Sequence, residues 1–212
     1  MTQSLFIGPT RGAAALLSVE QRACHLQVQT VSDGRAMMPR MSLPEAITLQ
    51  RATESDSPLL ANLLELYIHD LSEAFGIEVG PDGRFGYDRL PTYWAEPDRR
   101  FAYVIRNGPA IAGFALVGVG SPASDDPNVL DVAEFFVLRR HRRLGVGQRA
   151  AHLLWDTLPG NWIVRVSTGN PRGLAFWPVA IESYAQGDWS EKSAPGNRHP
   201  WKVFSLRSRK NA

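Results

Sequence analysis

The chain has 212 residues, 44% hydrophobic and 21% charged, the composition of a globular protein with room for one sizeable core. A formal net charge of +2 is too small to call for a polyanionic partner, and nucleic acid is not expected as one. Cys24 is the only cysteine, which excludes an intrachain disulfide and a cysteine-rich metal site, and no metal is expected.

Residues 1–45 carry Gly, Ser, Thr, Gln and Arg with no sustained hydrophobic period, and they include Met37, Met38 and Met41. They read as a flexible or weakly ordered N-terminal extension, or as sequence upstream of a later start, with at most one short helix around Ala13 to Cys24. Ala13 to Leu17 is too short for a signal-peptide core, and no apolar run of about twenty residues follows. The expectation is a cytoplasmic protein with no membrane partner.

A single domain is expected over residues 46–208. Ile47 to Ala52 alternates apolar and polar residues as a half-buried strand does. Asp56 or Ser57 before Pro58 opens a helix whose face is Leu60, Leu63, Leu64, Tyr67 and Leu71, and Gly76 stops it. Gly76 to Gly86 is a glycine-rich loop, and a short helix is expected over Asp88 to Trp94. Phe101 to Arg106 and Ile111 to Val119 form a hairpin about Asn107-Gly108-Pro109, followed by a polar loop from Ser121 to Asn128.

The next stretch, Val129 to Gly147, is the most telling. A β-rich run to Leu138 enters Arg139-Arg140-His141-Arg142-Arg143, then Leu144-Gly145-Val146-Gly147-Gln148, and a helix follows with Ala150, Leu153, Leu154 and Leu158 on one face. Strand, basic turn, then glycine-spaced helix start is how backbone amides make an anion site. A solvated basic turn and a nucleic-acid contact are rival readings; no helix-turn-helix, aromatic RNA-binding pattern or zinc-ligand set accompanies the arginines. Trp162 to Val166 is the second strand of a parallel pair. Asn170-Pro171 opens a helix through Trp177, which Pro178 interrupts. Trp201 to Leu206 is a last strand that must find a sheet edge.

The spacing Arg142-x-x-Gly145-x-Gly147, in this setting, resembles the pyrophosphate-loop signature of the GNAT superfamily of acyl-CoA N-acyltransferases. The resemblance implies an α/β GNAT fold: a mixed central sheet with a splayed parallel strand pair and flanking helices. It implies acetyl-CoA as acyl donor, with the pyrophosphate held at Arg142, Arg143, Leu144, Gly145, Val146, Gly147 and Gln148. The pantetheine arm would lie along the main chain of Phe136, Val137 and Leu138, with Asn170 as a further cofactor contact. The implied activity is transfer of an acetyl group to a primary amine by direct attack in a ternary complex.

An amine is mostly protonated at neutral pH, so a base must take its proton. The strand offers Asp131 and Glu134. Glu134 is favoured because a buried carboxyl is the one raised toward neutrality; a structural ion pair for Glu134 and a solvated strand-end charge for Asp131 are the bland alternatives. Asn170-x-x-Gly173-x-x-x-Trp177 is similar to the family's Asn-x-x-Ala-x-x-x-Tyr, but Trp177 replaces the tyrosine that protonates the leaving thiolate. Indole cannot supply that proton, so Tyr184 is the substitute acid, or the thiolate leaves unassisted. The acceptor, a small-molecule or peptide amine, would meet Tyr67, Asp70, Tyr87, Tyr93 and Trp94, whose acids and aromatics suit a cation such as a polyamine or aminoglycoside. A homodimer is left open, and a CoA-binding regulatory module without turnover is the alternative function.

Overall fold

One seven-stranded sheet organises the residues described, in the order β1-β2-β3-β4-β5-β7-β6. The computed structural model describes residues 46–196 and 198–208, so the extension expected over residues 1–45 lies outside the described residues, with its short helix and Cys24. β1 (Ile47–Arg51) pairs antiparallel with β2 (Arg100–Asn107), and β2 with β3 (Ala110–Val119), through the expected hairpin. Between β1 and β2 runs α1 (Ser57–Phe75), which buries Leu60, Leu63 and Leu64 against one face of the hairpin and ends at Gly76 as expected. Asp56 sits at the N-cap, yet its carboxylate turns back to accept from the Thr53 N–H at 2.9 Å. The expected helix over Asp88 to Trp94 shortens to α2 (Thr92–Ala95). Pro91 at its N-cap disfavours helical geometry for Leu90, so the residues before it form turns.

β4 (Leu130–Val137) pairs antiparallel with β3 and parallel with β5 (Asn161–Ser167). A bulge interrupts its register: Leu116 faces Glu134, but Val117 faces Val132. The extra residue, Ala133, returns Glu134 to the face that carries Asp131 and Phe136, toward α1. Leu130, Val132 and Phe135 pack on the opposite face with the later helices. The parallel pairing covers only Leu130 to Val132 against Trp162 to Val164, so beyond Val132 the two strands part.

α3 (Val146–Thr157) crosses between β4 and β5, and α4 (Pro171–Ala185) follows β5. Together they bury Trp155, Ala151, Leu154, Trp177, Ala180 and Ile181 on the far face of the sheet. Two expectations need correction. Pro178 does not end α4, which runs on to Ala185: the proline forgoes one backbone bond, but burial of Ala180, Ile181 and Tyr184 in the following turns outweighs it. β7 (Trp201–Arg207) is not an edge strand; it lies between β5 and β6 (Trp189–Ala194), which takes the edge.

Candidate functional site

The chain leaves β4 through a single 3-10 turn, Arg139–His141, and enters α3 through Arg142 to Gly145. Arg143 and Gly145 both adopt left-handed backbone, φ 59° and 76°. Glycine takes this conformation freely and arginine at a cost, so the loop shape is imposed by its surroundings. The first helical bond of α3 runs from the Arg149 N–H to the Gly145 carbonyl at 3.0 Å. The amides of Val146, Gly147 and Gln148 precede it, and those of Arg143, Leu144 and Gly145 have no hydrogen bond among the described residues. Six consecutive N–H groups thus surround the positive end of a helix dipole, which fits a pyrophosphate. An ideal Cβ at Gly147 would stand 3.2 Å from the Phe176 ring and 3.5 Å from Val137, so this glycine also lets α3 approach α4 and β4.

Arg142 serves the loop from within. Its Nε donates to the Val137 carbonyl at 2.7 Å, its Nη2 reaches Asp70, and its guanidinium lies 5.5 Å from the Phe136 ring centroid. Asp70, expected in the acceptor pocket, instead joins Arg142 and Arg139 and anchors the loop to α1. Loss of hydration pushes the Asp70 carboxyl up, but the two arginines outweigh it and hold the carboxyl below the usual range. Asp70 carries one negative charge, so it offsets one of the turn's four arginine charges while tying two guanidiniums to α1. The Gln148 amide donates to Ser183 at 2.6 Å, linking α3 to α4, and Asn170 caps α4 by accepting from the Gly173 N–H at 2.9 Å.

The edge of β4 exposed by the splay follows from its pairing. The Leu138 N–H donates to the Ala112 carbonyl at 2.8 Å, so Leu138 and, by alternation, Phe136 direct their main chains toward β3. The main chains of Phe135 and Val137 then face the gap. Of the expected trio, only the Val137 N–H remains available to a ligand: its carbonyl accepts from Arg142 Nε, and Phe136 and Leu138 are engaged within the sheet. β4 also lies hard against β3: a Cβ at Gly113 would collide with the Phe136 carbonyl oxygen.

On the α1 face of β4, Glu134 accepts from Tyr67 Oη at 2.6 Å on one carboxylate oxygen and from Tyr87 Oη at 3.1 Å on the other. Burial raises the proton affinity of this carboxyl above the ordinary glutamate range; the two phenols, Arg165 and Arg89 offset it only in part. Among the described residues Glu134 has no arginine ion pair, so its bland alternative is not what the structure shows. Asp131 is different. It is buried, not a solvated strand end, and its partner is Arg165 at 2.8 Å. Arg165 in turn packs 5.6 Å from the Trp201 ring centroid.

Tyr93 is buried, and loss of hydration followed by the nearby Glu134 pushes its phenol up to about 12. Trp94 packs beside it, with an indole nitrogen that has no partner among the described residues. Tyr67, Tyr87 and Tyr93 thus gather around Glu134, while Asp70 belongs to the loop. Trp177 is buried, its ring 5.1 Å from Phe135 and 4.9 Å from Phe176, so it closes a wall of the core. Tyr184, the substitute acid, donates to Asp156 at 2.7 Å near the far end of α3 and is not brought to the Glu134 group. The sequence reading missed Glu65, which accepts from the N–H groups of Phe85 at 2.7 Å and Gly86 at 3.1 Å and so holds the loop that delivers Tyr87. It also missed Arg165 and Phe176. All three act across long sequence separations, and no local pattern marks them.

Among the described residues, no cluster of His, Cys, Asp and Glu could hold a metal ion, and no helix is long and apolar enough to cross a membrane. Among curated proteins, none matches the chain. Solved structures share the fold at low identity. An acetyltransferase from Thermus thermophilus is 18% identical with a TM-score of 0.58, covering 79% of this chain and 99% of that one. The spermidine N-acetyltransferase from Vibrio cholerae, in complex with CoA and spermine, is 13% identical with a TM-score of 0.52, covering 76% and 95%. The ribosomal-protein-S18-alanine N-acetyltransferase from Escherichia coli is 15% identical with a TM-score of 0.51, covering 79% and 97%. The model of the acetyltransferase (GNAT) family matches residues 61–177, which hold the amide loop, β4 and the Glu134 group. The chain belongs to the acetyltransferase (GNAT) family.

Proposed function

We propose that the protein transfers an acetyl group from acetyl-CoA to a primary amine by direct attack in a ternary complex. The observation that carries this reading is the juxtaposition on β4: the main chain of Val137 faces the splay, and Glu134 projects one turn of strand earlier toward α1. The donor supplies an activated thioester. The amides of Arg143 to Gln148 would hold its pyrophosphate, as the family's loop does, with Arg142 and Asp70 keeping the loop in shape. The Val137 N–H, which faces the splay, would donate to the thioester oxygen as negative charge develops there.

Glu134 accepts a proton from the incoming ammonium, directly or through water, and leaves a neutral amine to attack. Its raised proton affinity matches it better to this task than an ordinary carboxylate. Trp177 is packed in the core and Tyr184 donates to Asp156, so neither supplies the proton of the family tyrosine. The thiolate therefore leaves without a protein acid and takes a proton from solvent. The acceptor enters among Tyr67, Tyr87 and Tyr93. With Asp70 paired to Arg139 and Arg142, Glu134 is the one acid bonded to these phenols among the described residues, which favours acceptors bearing a single amine over polyamines. The proposal is tested by release of free thiol from acetyl-CoA across a panel of monoamines, amino acids, aminoglycosides and polyamines. Amine-dependent release that Glu134→Gln abolishes supports it. Tight acetyl-CoA binding with no amine-dependent release across the panel supports the regulatory module instead.

A further inference from the structure

Glu134 is held by more than its place on β4. Tyr67 comes from α1 and Tyr87 from the glycine-rich loop, and each hydroxyl donates to a different oxygen of the one carboxylate. Both phenols are themselves fixed. The Tyr67 ring meets Phe114 and Phe136 edge-on, each with centroids 5.8 Å apart. The loop carrying Tyr87 is fastened to α1 by Glu65, which takes two of its backbone amides and lies 3.5 Å from Arg84. We propose that Tyr67 and Tyr87 are positioning residues for Glu134: their paired phenols aim the carboxylate and stabilise its ionised form. This rests on the reading of Glu134 as the base.

The groups facing Glu134 are Tyr67 from α1, Tyr87 and Arg89 from the loop, Tyr93 from α2, and Arg165 from β5. Among the described residues, only the two phenols hydrogen-bond to its carboxylate. Burial disfavours the charged carboxylate, and only the charged form can accept a proton from an ammonium. A hydroxyl donating to a carboxylate favours its charged form, and does so strongly when water is scarce. A carboxylate has about four acceptor sites, so two phenols leave room for the amine or a water. The phenols stay donors throughout: burial, then the nearby Glu134, makes each harder to ionise than a free tyrosine. Their hydroxyl protons are thus committed to the base, which leaves their oxygen lone pairs to meet an acceptor.

The test is a titration of Glu134 in the full chain carrying carboxyl-13C glutamate, assigned by its loss in Glu134→Gln and needing no acceptor. Tyr67→Phe and Tyr87→Phe each keep the ring and remove one donor. In each, Glu134 should titrate about one pH unit higher than in wild type. With an accepted amine, the acid limb of the pH–rate profile should move up by the same amount. The two tyrosines lie on separate elements, so a folding defect in one variant leaves the other as a test. A Glu134 titration unmoved in both variants overturns the proposal. A Glu134→Gln variant with full turnover overturns the base reading alone, because the titration still reports on the phenols.

Discussion

At the residue scale, two carboxylates on β4 were legible as candidates, but only three-dimensional partners separate them. Asp131 is buried beside Arg165, whose side chain is 24% exposed against 4% for Asp131. Asp131→Asn removes one charge of that pair and should cost roughly 3 kcal/mol in a denaturant melt, the low end for a broken buried pair because Arg165 still meets water. Turnover in the folded variant should remain near wild type; a large loss of rate with normal stability would make Asp131 catalytic. Glu134→Gln should instead lower turnover by roughly 10²–10⁴-fold with near-normal acetyl-CoA affinity. Glu134 also carries a stability signature. A carboxyl raised in the folded state favours folding below the ordinary glutamate range, and that contribution is lost as pH rises through the raised value. Glu134→Gln should therefore gain in Tm on wild type as pH goes from about 4 to 8. Tm curves that run parallel over this range would contradict the raised affinity. Alternation along β4 could not assign the sides, because the Ala133 bulge turns both carboxylates to one face.

At the element scale, segments with strong local signals formed as expected: α1 between Pro58 and Gly76, the Asn107-Gly108-Pro109 hairpin, and the β4–loop–α3 unit. β6 gave no signal. Ser190, Glu191, Lys192 and Ser193 are all exposed on an edge, so no apolar alternation marks the strand. Pro178 misled in the other direction, since tertiary burial of the next two turns decides that α4 continues. The role of Asp70 was also hidden, because Arg139 and Arg142 reach it from another element. Asp70→Asn should loosen the amide loop and weaken acetyl-CoA binding by about tenfold, the equivalent of one charge-assisted hydrogen bond, with little effect on which amine is accepted. Altered amine selectivity at unchanged acetyl-CoA affinity would return Asp70 to the acceptor pocket. Gly113→Ala tests the seating of β4. Its Cβ would collide with the Phe136 carbonyl, so urea melts should show a loss of about 1–3 kcal/mol or more.

At the scale of the whole molecule, one helix ties the parts together. α1 contributes Glu65 to the glycine-rich loop, Tyr67 to Glu134 and Asp70 to the turn between β4 and α3. These contacts link the expected acceptor side, Glu134 and the expected donor loop through a single helix. The central claim is that the amides of Arg143 to Gln148 receive the donor. It is tested most directly by thermal unfolding of the full chain with increasing acetyl-CoA, alongside Gly145→Glu, each protein compared with itself without ligand, because the left-handed backbone at Gly145 strains any side chain even though no atom lies within 4 Å of its Cβ. The account predicts stabilisation of about 2.7 kcal/mol at a hundred times Kd for wild type, and none for Gly145→Glu at the same concentration. An unmoved wild-type transition at millimolar acetyl-CoA, or equal stabilisation of the two proteins, would contradict it.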